Sequence, residues 1–115
     1  AMPVRATSKS SKTSRSPMDM QEMLVHAGEA AEFLKALAND QRLVILCSLL
    51  DSPKSVGEIN ECVHLSQSAL SQHLAVLRER ELVVTKKQAQ TVYYSVPAGK
   101  TRRILNLLHD CFCRS

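Results

Sequence analysis

The chain has 115 residues, 44% of them hydrophobic and 23% charged, a composition that supports one small core and excludes a wholly disordered chain. No apolar run approaches the roughly 20 residues needed to span a bilayer, and no apolar stretch follows the basic N-terminal residues, so neither a membrane span nor a secretory signal is expected. The net charge of +4 is unevenly spread. Four basic residues and no acid lie in 1–17, an excess of acids lies in 18–65, and eight basic against three acidic residues lie in 66–115. A polyanion is expected to meet the tail and the C-terminal half.

Residues 1–16 are Ser, Thr, Lys and Arg with almost nothing to bury, which predicts a disordered basic tail ahead of one domain over 17–115. Ser16 and Pro17 read as an N-cap and first helical residue. The helix that follows is expected to reach about Ala38, with Met20, Leu24, Ala27, Ala31, Leu34 and Leu37 at helical spacing. Asn39 or Asp40 caps a second helix through Leu43, Val44, Leu46, Cys47 and Leu50, ended by Asp51-Ser52-Pro53. Ser55 opens a short third helix with Ile59, Cys62 and Val63 apolar.

Ser66 is the strongest N-cap in the chain. In the helix after it Leu70, Leu74 and Leu77 form one stripe, and Gln67, Ser68, Ser71 and Gln72 point away. Period-two runs follow at 82–85 and 91–96, separated by Lys86, Lys87, Gln88, Ala89 and Gln90, which predicts a hairpin with a basic, amide-rich tip. Pro97-Ala98-Gly99 breaks the second strand. A last helix over 101–113 carries Ile104, Leu105, Leu108 and Phe112. The expected order is four helices, a hairpin and a helix.

Residues 55–78 fit a helix-turn-helix. Small Ser and Gln side chains let a helix backbone approach base edges while offering donors and acceptors. A merely solvated helix face favours Lys and Glu, yet 66–77 contains no charged residue. Phosphate contacts are expected from Arg78, Lys86 and Lys87, with Gln88 and Gln90 at the hairpin tip. His73 reads either as a phosphate contact or as a helix-edge packing residue.

Together, Leu34-Lys35-Ala36-Leu37-Ala38-Asn39-Asp40-Gln41-Arg42-Leu43, Leu65-Ser66-Gln67-Ser68-Ala69-Leu70-Ser71-Gln72-His73-Leu74 and Gln90-Thr91-Val92-Tyr93-Tyr94 resemble the ArsR/SmtB winged-helix repressors. The resemblance spans about 20–113. It implies a mainly α fold with a β-hairpin wing. It also implies a homodimer built from the first and last helices, repressing transcription at an inverted-repeat operator on double-stranded DNA, while the lack of a secretory signal and the few Gly and Pro read as a cytoplasmic protein with reduced thiols.

The four cysteines are Cys47, Cys62, Cys111 and Cys113. The runs around Cys47 and the Cys-terminated last helix resemble the BigR, SqrR and HlyU subgroup, which answers reactive sulfur or oxidants through a cysteine pair. The resemblance puts that pair on Cys47 and Cys113, with persulfides or polysulfides as inducers. Cys111 and Cys62 read as buried small residues, though Cys111 is also able to stand in for Cys113. The Cys-x-Cys motif and the spaced last-helix ligands of metal-sensing relatives are missing. The metal alternative would draw on His109, Cys111, Cys113 and Cys47. No cofactor is expected. No catalytic triad or carboxylate pair is visible, so no enzyme is expected.

Overall fold

In the computed structural model the described residues are 20–113; the expected tail and the Ser16-Pro17 cap lie outside them. Contacts divide the chain after Leu34. Helix α1 (Met20–Leu37) begins in the first unit and ends in the second. Its residues Met20, Leu24, Val25 and Leu34 are exposed, and only Ala36 and Leu37, in the second unit, are buried.

The second unit holds the remaining elements: α2 (Asp40–Ser48), β1 (Lys54–Ser55), α3 (Val56–Cys62), α4 (Gln67–Glu79), β2 (Val84–Gln88), β3 (Thr91–Ser95) and α5 (Lys100–Phe112). The starts of α2, α3 and α4 each follow from a short polar side chain. The Asn39 Oδ1 accepts from the Arg42 amide, and the Ser66 hydroxyl accepts from the Ala69 amide. Ser55 and Glu58 form a reciprocal capping box. These bonds satisfy amides that the first helical turn leaves without partners.

The core is built from the inward faces of the helices and from residues that flank the strands. Ile45, Leu46 and Leu49 of the α2 region, Ile59 of α3, and Leu70, Leu74 and Leu77 of α4 are buried, together with Leu82, Val83, Val96 and Leu105. The α4 stripe is the one expected from spacing. Strand β1 has no counterpart in the sequence reading. It is two residues long and pairs antiparallel with β3, giving the order β1-β3-β2.

Lys54 in β1 ties this edge to α2. Its Nζ donates to the Ser48 carbonyl at 2.6 Å and to Asp51 Oδ1 at 3.1 Å. The same hydrogen bond, with the ammonium charge, holds the Asp51 carboxyl below its ordinary pKa.

The hairpin is longer and tighter than expected. Lys86, Lys87 and Gln88 belong to β2, paired with Tyr93, Val92 and Thr91, so the turn is only Ala89 and Gln90. Lys and Gln are weak strand formers, and pairing with Thr91 and Val92 overrides that preference. Helix α5 follows Gly99, whose φ of 122° lies where side-chain-bearing residues are strained.

Candidate nucleic-acid interface

Helix α4 presents two faces of different chemistry. Leu70, Leu74 and Leu77 are buried, while Gln67, Ser68, Ser71 and Gln72 are exposed. No salt bridge or capping role occupies the exposed four. Beside them an open groove of about 510 Å³ is lined by Val56, Ser71, Ala75, Arg78, Glu79 and Tyr94. An uncharged, donor-and-acceptor-rich helix face with an arginine at its edge matches what a major groove accepts.

The α4 end sets the angle at which the hairpin leaves. The Leu82 amide donates to the Leu77 carbonyl at 2.8 Å and the Glu81 amide to the Arg78 carbonyl at 3.0 Å. With Glu81 at φ 62°, this is a Schellman stop. Leu77 and Leu82, the apolar pair such a stop brings together, are both buried.

The remaining expected contact residues fall into two groups. Arg78, Lys86, Lys87, Gln88 and Gln90 are exposed. Alternation along β2 sends Lys86 and Gln88 to one side of the ribbon and Lys87 to the other. His73 is half-buried, its Nε2 hydrogen-bonded to Gln41 Oε1 of α2 at 3.0 Å. It therefore joins α2 to α4, a link that no pattern in the sequence announced.

The cysteines also separate. Cys47 is half-buried in α2 and its thiol pKa is raised, first by burial and then by the charge of Cys113. Cys62 and Cys111 are exposed, contrary to their expected burial. Ile59 and Val63 take the core positions around the α3 end, leaving Cys62 outward. In α5 Thr101 and Leu105 are buried, and Leu107, Cys111 and Phe112 are exposed. Among the described residues, no three His, Cys, Asp or Glu side chains come together as a metal site.

Arg102 is a further residue that the sequence reading passed over. One guanidinium nitrogen donates to the Leu50 carbonyl at 2.7 Å and another to the Val96 carbonyl at 2.8 Å. The available signal was a first turn of α5 with Lys100, Arg102 and Arg103 and no acid, against the helix dipole.

Mainly helical elements, an α4 with an uncharged polar outer face and a β-hairpin after it define a winged helix-turn-helix protein. The family model "Bacterial regulatory protein, arsR family" matches residues 39–85. The transcriptional activator HlyU of Vibrio cholerae is 50% identical over 99 residues, covering 86% of this chain and 92% of that protein. The biofilm growth-associated repressor of Xylella fastidiosa strain 9a5c is 34% identical over 99 residues, covering 86% and 87%. Among solved structures, reduced HlyU from Vibrio cholerae superposes with a TM-score of 0.76 at 50% identity, covering 81% of this chain and 98% of that one. The transcriptional repressor BigR from Xylella fastidiosa gives 0.76 at 34% identity, covering 83% and 94%. The chain belongs to the ArsR family of bacterial regulatory proteins: it is a DNA-binding transcriptional regulator. These relatives are regulators and not enzymes. No helix among the described residues is long and apolar enough to cross a membrane.

Proposed function

We propose that this regulator is a cytoplasmic, homodimeric repressor that senses persulfides or polysulfides through Cys47 and Cys113, and that bridging these two sulfurs releases operator DNA. The observation that supports the reading is the packing of α2, which holds Cys47, against α5, which Cys113 caps. The two residues are far apart in the sequence, Cys47 within α2 and Cys113 at the C-terminal cap of α5.

The chemistry balances without an external oxidant beyond the persulfide. One cysteine thiolate attacks the outer sulfur of a persulfide R–S–SH, expelling the thiol RSH and becoming Cys–S–SH. The second thiolate attacks the inner sulfur, forms the disulfide and expels hydrogen sulfide. The sulfane sulfur is reduced and the two thiols are oxidised. If both cysteines are first persulfidated, their condensation loses hydrogen sulfide and leaves a trisulfide.

Operator contact falls to α4 and the wing. Gln67, Ser68, Ser71 and Gln72 address base edges, while Arg78, Lys86, Lys87, Gln88, Gln90 and, once free of Gln41, His73 address the backbone. The dimer presents two such heads about 34 Å apart to an inverted repeat. Exposed apolar residues on α1 (Met20, Leu24, Leu34) and on α5 (Leu107, Phe112) supply material for a second copy to cover. Bridging distant residues biases a conformational equilibrium by about 3–4 kcal/mol, and only about 1.4 kcal/mol is needed for tenfold weaker DNA binding.

The test is a pair of single variants. Cys47→Ser and Cys113→Ser should bind a duplex selected from a randomised pool by the reduced protein, and should stay bound after sodium tetrasulfide. Release by Cys113→Ser together with retention by Cys111→Ser would move the pair to Cys47 and Cys111. Release of DNA by a chelator rather than by tetrasulfide would replace the thiol reading with a metal one.

A further inference from the structure

Helix α5 begins without a side-chain cap, because Gly99 has no side chain to supply one. Its first turn carries Lys100, Arg102 and Arg103 at the end where the dipole disfavours cations. Arg102 is thus not placed there for the helix's own stability. Its guanidinium instead bonds two carbonyls on separate segments: Leu50, just beyond the end of α2, and Val96, at the root of the wing. A guanidinium is a planar fork with fixed angles between its donors, so two bonds from it fix both segments relative to α5. A lysine ammonium in its place would act as a point charge on a flexible stem.

At the other end of the same helix sits Cys113. The 13 residues of α5 make a rod about 20 Å long, with the Arg102 fork near one end and a sulfur at the other. Cys47, the other sulfur of the proposed pair, lies in α2 less than one turn before Leu50. A bridge drawing Cys113 to Cys47 turns this rod about its pinned end, and the pinned end includes the wing root at Val96.

We infer that Arg102 is the positioning residue that carries the bridging of Cys47 and Cys113 into a displacement of the wing, an inference that rests on the dithiol reading above. Without the fork, α5 still responds to the bridge at its C-terminal end, but Val96 no longer follows. Bond formation between the sulfurs and release of DNA then become separable. The fork needs no contact with DNA or with either sulfur to do this.

The experiment uses the full chain as wild type, Arg102→Lys and Arg102→Gln, each variant keeping a donor group on a single nitrogen but losing the rigid two-nitrogen fork. Lys54→Met is the comparison, since Lys54 also holds a carbonyl at the α2 end, that of Ser48, but makes no bond to α5. Each protein is titrated against the duplex selected by the reduced wild type, before and after sodium tetrasulfide, with the intact mass read from the same sample. The wild type should lose DNA affinity about tenfold or more on bridging. Both Arg102 variants should show the same mass change and lose less than about threefold. Lys54→Met should melt at a lower temperature yet keep the wild-type ratio. A wild-type ratio in the Arg102 variants, or an equal collapse of the ratio in Lys54→Met, overturns the role of Arg102. Absence of any bridged mass in the wild type overturns the dithiol reading first, and this inference with it.

Discussion

Glu81 and Ala89 hold backbone conformations that favour glycine, with φ of 62° and 55°. Each pays about 1 kcal/mol for a Cβ in the left-handed region. Glu81→Gly and Ala89→Gly should each raise stability in urea denaturation by roughly that amount, less the extra chain entropy of glycine when unfolded; a loss of stability would show that the side chains contribute contacts. At Gly99, φ is 122° and an added Cβ would meet nothing within 4 Å. Gly99→Ala should therefore cost about 1–3 kcal/mol from conformation alone. Cys47 titrates above an ordinary thiol because burial and the Cys113 charge both disfavour its thiolate. The fold holds the neutral thiol better than the anion, so this site's contribution to stability is lost as pH rises beyond the normal thiol range. In a protein with Cys62 and Cys111 replaced by Ser, the pH midpoint for alkylation of Cys47 should lie above that of a free cysteine. It should drop when Cys113 is also made Ser, with burial keeping it from reaching the free value. An unchanged midpoint would mean the two sulfurs are not neighbours.

Helices α2, α3 and α4 were legible from the sequence because each carries its own punctuation. Asn39, Ser55 and Ser66 are all N-caps making the hydrogen bonds their position demands, and the leucines of α4 are buried as their spacing requires. The sheet was less legible. Two residues of β1 are too few to show a period, and Lys86, Lys87 and Gln88 joined β2 through register with β3 rather than through their own preference. Helical spacing also assigned Cys111 to an apolar side without revealing where along α5 the packing stops. The longer β2 changes what the wing is expected to do. Alternation separates Lys86 from Lys87, so Lys86→Ala and Lys87→Ala should weaken DNA binding unequally, the more effective one also flattening the dependence on salt. Ser68→Ala and Gln72→Ala should instead narrow the gap between selected and unrelated duplexes. Equal effects from all four substitutions on both duplexes would leave α4 without a reading role.

At the scale of the whole molecule, the residues that join elements were the hardest to foresee, because each acts through a partner distant in the chain. The Gln41–His73 bond links α2 to α4, and the Arg102 fork links α5 to Leu50 and Val96. Periodicity reports which face of one helix is apolar and says nothing of which carbonyl a long side chain will reach. The apolar residues left uncovered on α1 and on α5 belong to the same scale. Leu107→Glu and Leu24→Glu should shift sedimentation toward a single chain, and a second copy would then be lost along with tight binding to an inverted repeat. The most direct measurement takes the Cys62→Ser, Cys111→Ser protein, treats it with sodium tetrasulfide, and reads DNA affinity and intact mass together. A Cys47–Cys113 link should form, seen as a disulfide or a sulfur-extended bridge, with at least about tenfold weaker binding that dithiothreitol restores. A linked protein that holds DNA as tightly as the reduced one would contradict it.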